Sequence, residues 1–195
     1  MVTRRRGRDT VSDAQPIHSR HNEQVKKLRR ALARGERTPE GLLAVDTFHL
    51  LEEALGSGLE APQVFFTAKT ESDLDGLLEA HNARPLRFRL PARVFDSVSA
   101  APAAQGVAAL VRPRVWELAD VFAPAPALVV VLAGVQDPGN AGAILRTAEA
   151  FGATGALLLH GTVHPENPKL LRASAGSAFR LPHVHGLRFG EALAH

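Results

Sequence analysis

Seven apolar residues, Ala127 to Ala133, run without interruption toward the string Asp137-Pro-Gly-Asn-Ala-Gly142, and an amphipathic helical pattern follows. A strand that is apolar along its whole length has no solvent face, so it belongs in a sheet covered on both sides. The spacing predicts a helix over Ala141–Phe151, with Gly152 free to end it in a left-handed conformation. A second strand reads at Ala156–His160. A short helix at Pro168–Ala173 and a third strand in Arg180-Leu-Pro-His-Val184 complete the segment. Strand alternating with helix is the signature of an α/β unit built on a parallel sheet.

The preceding hundred residues alternate in the same way. Ser19 is placed to cap a helix that holds Val25, Leu28 and Leu32 on one face and ends at Gly35. Gly41–Val45 reads as a short buried strand, and Asp46 as the cap of a helix over Thr47–Leu55, stopped by Gly56. Gln63–Thr67, Leu86–Leu90 and Gly106–Val111 are strand-like. Helices are expected at Ser72–His81 and Pro91–Val98. Leu86–Leu90 alternates Leu-Arg-Phe-Arg-Leu, which puts Arg87 and Arg89 together on an outward face. The division expected is a basic, disordered arm at 1–18, a small α/β domain at 19–112, a connector at 113–126 broken by Pro113, Pro124 and Pro126, and a second α/β domain at 127–195.

The net charge of +3 hides an uneven distribution, because Met1–Arg37 is crowded with arginine and lysine while the remainder is slightly acidic. A basic segment ahead of a near-neutral body suits a polyanion such as RNA, and Arg29 and Arg30 on the first helix are candidate contacts. Arg87 and Arg89 suit RNA phosphates or simple solubility equally. Aromatic residues make up 5% and tyrosine is absent, which argues against a base-stacking platform. Without cysteine there is neither a disulfide framework nor a thiolate metal site. With no membrane-length apolar run and no signal segment, a soluble, cytoplasmic protein is expected.

The junction at Asp137–Arg146 carries the chemistry. Gly139 and Gly142 permit close approach of a partner, the amides at the start of a helix favour an anion, Asn140 both donates and accepts, and Arg146 offers a planar fork for phosphate. That set suits a ribose-phosphate. It suits equally a plain turn, tight packing at Gly142 and an ordinary surface cation at Arg146. The glycines form neither G-x-G-x-x-G nor a P-loop. His183 and His185 share a strand face at a spacing that can bind metal, but no third ligand accompanies them. Glu52 with Glu53, and Asp73 with Asp75, read as solvated helix faces.

The stretch DPGNAGAILRTAEAFGA resembles the first motif of the SpoU/TrmH-type RNA ribose methyltransferases of the SPOUT superfamily, whose core N-x-G-x-x-x-R is matched by Asn140, Gly142 and Arg146. NPKLLRASAGSAFRLP, Asn167–Pro182, resembles the segment that follows in that family. QGVAALV, Gln105–Val111, is similar to the last strand of its L30e-like RNA-binding module. The resemblance implies a Rossmann-like SPOUT methyltransferase domain with a parallel sheet and trefoil knot, represented by its N-terminal part and preceded by an L30e-like α/β domain. It implies methyl transfer from S-adenosylmethionine to a ribose 2′-hydroxyl, with rRNA favoured over tRNA, no metal, and a homodimer. Arg146 and Asn140 would then be catalytic, and Gly142, Arg172, Ser174 and Ser177 would face the RNA. The family's second motif, a Gly-rich G-x-E stretch, and its third, S-L-N-V-S, are not found up to His195. The resemblance therefore places the cofactor-binding residues mainly beyond His195 and leads us to expect a truncated chain that is inactive alone. The alternative expectation is a non-catalytic RNA-binding relative.

Overall fold

The computed structural model describes residues 14–98 and 105–192, so most of the basic arm lies outside the described residues. The first of its two sheets holds β1 (Gln15–Pro16), β2 (Leu43–Val45), β3 (Gln63–Phe66), β4 (Leu86–Arg89) and β5 (Val107–Val111), in the spatial order β1-β4-β3-β5-β2. Strands β1, β4 and β3 are parallel, and β5 runs antiparallel to both β3 and β2. Alternation along each strand divides the core in two. Ala44, Phe65, Phe88, Ala108 and Leu110 pack with α1 (Glu23–Arg34) and α4 (Ala92–Phe95), while Leu43, Val45, Val64, Phe66, Val107 and Ala109 pack with α2 (Phe48–Gly56) and α3 (Glu71–Ala80).

Two caps differ from those expected. Asn22, not Ser19, starts α1 by accepting from the Gln24 amide, and Ser19 accepts from His21 instead. Thr47, not Asp46, caps α2 by accepting from the Leu50 amide. Several eligible oxygens lie within a turn of each helix start, and the path of the incoming chain selects among them. Arg87 also corrects the sequence reading. Its side of β4 is covered by α3, so it is buried at 5% exposure, ion-paired with Asp75 and stacked 5.1 Å from the centre of the Phe66 ring. It is not available to a phosphate.

The second sheet is wholly parallel, in the order β6 (Val129–Leu132), β7 (Gly155–Leu159), β8 (His183–Leu187). Helix α6 (Pro138–Ala150) joins β6 to β7, and α7 (Pro168–Ser174) and α8 (Ser177–Arg180) join β7 to β8. Within the proline-rich connector the chain forms α5 (Leu118–Phe122), whose buried Val121 accepts from Thr154 Oγ1 at 3.1 Å. Both α5 and α9 (Phe189–Ala192) contact β7, which is buried throughout. Strand β7 thus offers no open apolar face, whereas at the β6 edge Leu128 and Val131 are 56% and 48% exposed.

One apolar cluster joins the sheets, with Leu43 and Leu59 on one side and Leu171 and Phe179 on the other. Around it, among the described residues, three arginine–carboxylate pairs cross the junction: Arg37–Glu166, Arg172–Asp46 and Arg180–Glu53. Among the described residues no helix is long and apolar enough to cross a membrane.

Candidate functional site

Helix α6 begins earlier than its periodicity suggests. The Asp137 carboxylate accepts from the Asn140 amide at 2.7 Å, and Pro138 fills the first helical position, where a missing N–H costs nothing. Pro138, Gly139 and Asn140 are thus helical, and neither Gly139 nor Gly142 has a positive φ. This corrects the loop reading and its chemistry. The amide of Asn140, expected to receive an outside anion, already faces Asp137. That same amide, with Lys169 3.6 Å away, holds the Asp137 carboxyl below the usual aspartate range.

Gly142 is buried where α6 crosses α7. A Cβ there would lie 2.5 Å from the Leu170 carbonyl oxygen and 2.7 Å from the Ala173 Cβ. Its missing side chain lets two helices meet, so it is a packing residue and not an RNA contact. Ser174 is fully buried and donates to the Leu171 carbonyl at 2.9 Å. Ser177 is 2% exposed and donates to Glu149 at 2.5 Å. Arg172 donates to both oxygens of buried Asp46, at 3.1 and 3.0 Å. Ser174 and Ser177 are committed internally and Arg172, itself exposed, is committed to Asp46, because the segment holding them is the seam between α6 and the first sheet's helices.

Asn140 and Arg146 are both exposed. Asn140 borders an apolar groove of about 660 Å³ with Val130, Ile144 and the 81% exposed Phe151. Six residues on, Arg146 lies about 9 Å further along the helix and about 120° around it, and it does not line that groove. Among the described residues Arg146 makes no hydrogen bond or ion pair. Arg29 and Arg30 lie on α1, Arg29 half-buried and Arg30 exposed, and Arg89 pairs with Glu71 at 3.3 Å.

Sequence reasoning missed a charged knot beside α6. Arg180 donates to Glu149 at 2.7 and 3.0 Å and to Glu53 of α2. Arg180, joined by Ser177, keeps the Glu149 carboxyl below its ordinary range. Glu53 and Asp75 are therefore partnered, not merely solvated. No local pattern announces this, since Glu53 and Arg180 are 127 positions apart. On β8, His185 meets His164 edge to face with ring centres 4.2 Å apart, while His183 Nδ1 lies 2.9 Å from the Leu181 carbonyl. Burial lowers the pKa of both His164 and His183.

Residues 127–195 match the SpoU rRNA Methylase family, and residues 22–109 match the MRM3-like substrate binding domain. An uncharacterized tRNA/rRNA methyltransferase of Synechocystis sp. is 35% identical over 174 residues, covering 88% of this chain and 62% of its own length. The 23S rRNA (guanosine(2553)-2′-O)-methyltransferase RlmP of Bacillus subtilis is 31% identical over 170 residues, covering 86% of this chain and 64% of its own. The crystal structure of the SpoU methyltransferase AviRb of Streptomyces viridochromogenes, in complex with the cofactor AdoMet, superposes with a TM-score of 0.73 at 25% identity, over 89% of this chain and 66% of that one. The chain thus spans just over three fifths of the length of these two curated relatives.

Proposed function

The chain belongs to the SpoU rRNA methylase family, and from that premise we propose that it takes part in methyl transfer from S-adenosylmethionine to a ribose 2′-hydroxyl of RNA, with Arg146 at the reacting sugar–phosphate. One observation carries the reading. Arg146 stands exposed and uncommitted on the helix that bears the N-x-G-x-x-x-R pattern, whereas Arg37, Arg172 and Arg180 are bound to carboxylates.

The residues present fit one wall of a cofactor site. Ligands of parallel sheets gather at the carboxyl ends of the strands. There the segments after β6 and β7 are tied together, with Gly134 N–H donating to Thr162 Oγ1 at 3.1 Å and Val163 N–H to the Val135 carbonyl at 2.9 Å. When bound, S-adenosylmethionine supplies a sulfonium methyl group, so the ribose oxygen needs only to be oriented and relieved of its proton as it attacks. A guanidinium is too weakly acidic to serve as the base. Arg146 therefore holds the adjoining phosphate and stabilises negative charge growing on the oxygen. Asn140, from the first turn of α6, orients another part of the substrate.

The rRNA relative and the match to a substrate binding domain named after an rRNA methyltransferase support rRNA as the substrate. We place the reaction in the cytoplasm and the protein in a homodimer, whose second copy covers the groove at Val130, Ile144 and Phe151. Replacing Arg146→Ala in the gene product tests the assignment. Methyl transfer is expected to fall at least ~100-fold, the usual loss when one charge-stabilising donor is removed, with RNA affinity nearly unchanged. Undiminished turnover would refute the role.

A further inference from the structure

Accepting the RNA reading, we propose that the RNA backbone travels along α1 and crosses the junction between the sheets through a cleft walled by His164 and His185, reaching the carboxyl ends of β6 and β7 from that side.

The buried stripe of α1 is Val25, Leu28, Ala31 and Leu32, which turns its basic residues outward. A groove of about 750 Å³ runs between this helix and the segment after it, walled by Lys27, Arg30 and Arg34. A second cavity of about 620 Å³ shares Arg34, Glu36 and Arg37 with the first and is closed by His164, Glu166 and His185. The two adjoin across these residues. Gly35, at the end of α1, is pressed on the start of α7, where an added Cβ would lie 2.8 Å from Pro168 Cδ and 3.3 Å from Asn167 Cα. From there Lys169 reaches Asp137 at the start of α6, and Val163 is bonded to Val135. The path ends beside the segment that leads into Asn140.

Its charge is that of a phosphate track. Arg30 makes no hydrogen bond or close ion pair among the described residues, although its charge is felt by Glu23, which Lys26 pairs at 2.7 Å, and Arg34 stands only loosely, 3.8 Å, from Glu36. Lys27, its side chain largely covered, is paired with the more exposed Glu40 at 3.0 Å. Glu166 is covered by Arg37 through bonds of 2.5 to 3.0 Å, which spends its negative charge. Neither cavity is lined by phenylalanine or tryptophan, so the track suits backbone and not stacked bases.

The histidines add a dependence on pH. His164 faces His185, His183, Glu166 and Arg37, and burial first, with His185 and Arg37, outweighs Glu166 and lowers its pKa. An arriving phosphate favours the imidazolium, so binding takes up protons and tightens as the solution is acidified through the histidine range.

The test is fluorescence anisotropy with a labelled oligouridylate. Arg30→Glu with Arg34→Glu should weaken binding tenfold or more and flatten the salt dependence by about 1.4 log units per log unit, at ~0.7 for each lost contact to a single strand. Arg84→Glu, exposed and outside both cavities, should leave both unchanged. In the wild type, affinity should rise as the pH falls through and below the ordinary histidine value of about 6.5, and His164→Asn with His185→Asn should abolish that rise. Wild-type binding that ignores both double substitutions overturns the path while leaving the RNA reading intact. Failure of the wild type to bind RNA at any salt overturns that reading itself.

Discussion

Gly142 sits in the motif that points to function, yet its own task is structural. Alanine there would gain about 1 kcal/mol of helix propensity but would force its methyl against the Leu170 carbonyl and Ala173. Crowding of that kind costs about 1–3 kcal/mol. Gly142→Ala is accordingly expected to lower the urea unfolding midpoint, and an unchanged or higher midpoint would show that α7 yields freely. The sequence offered both readings of Gly142, functional and packing, without deciding between them, because the deciding atoms belong to α7. The same limit explains Arg87, Ser174 and Ser177. Their residue types suit RNA, and only the elements lying over them make them internal. Asn140 and Arg146 are exposed, but the sequence alone did not reveal that they stand on different sides of one helix.

At the level of elements, the order and type of most were legible, since apolar periodicity records which face each element buries, but β1 lies in the arm read as disordered, and the short α8 and α9 carry too few turns to show a period. Helix starts were less legible, and α5 was hidden by the prolines around it. The ties between elements are ionic and acid-sensitive. Arg180 holds Glu149 of α6 ionised below the usual glutamate range, so this contribution is complete above pH ~4.5, the unfolded value, and is lost as the pH falls through the lower folded value. His164 and His183 resist protonation in the folded chain, so below pH ~6.5 the unfolded chain binds protons that the folded one refuses. Both effects carry the same sign. Stability from urea unfolding at a series of pH values should fall in two stages on acidification, and His164→Asn with His183→Asn should remove the upper one. A flat profile between pH ~7 and ~5.5 in the wild type would contradict the packing of these imidazoles.

At the scale of the whole molecule, the junction of the two sheets matters most, with its shared apolar cluster and three arginine–carboxylate pairs. Arg172 and Asp46 are 126 positions apart, so nothing in local sequence foretold this seam. Trp116 lies beside it with Leu43, Leu171 and Phe179, and Trp116 is the chain's single tryptophan. Its fluorescence and far-UV circular dichroism should therefore report one coincident transition. Fluorescence changing at lower denaturant would mean that the seam parts first. The reaction itself is tested most directly by giving the gene product S-adenosylmethionine labelled in its methyl group, together with rRNA, and digesting the RNA with alkali. Label is predicted in alkali-resistant dinucleotides, because a methylated 2′-oxygen cannot attack the neighbouring phosphate. Label released wholly as alkali-sensitive mononucleotides would place the methyl group on a base and contradict the account.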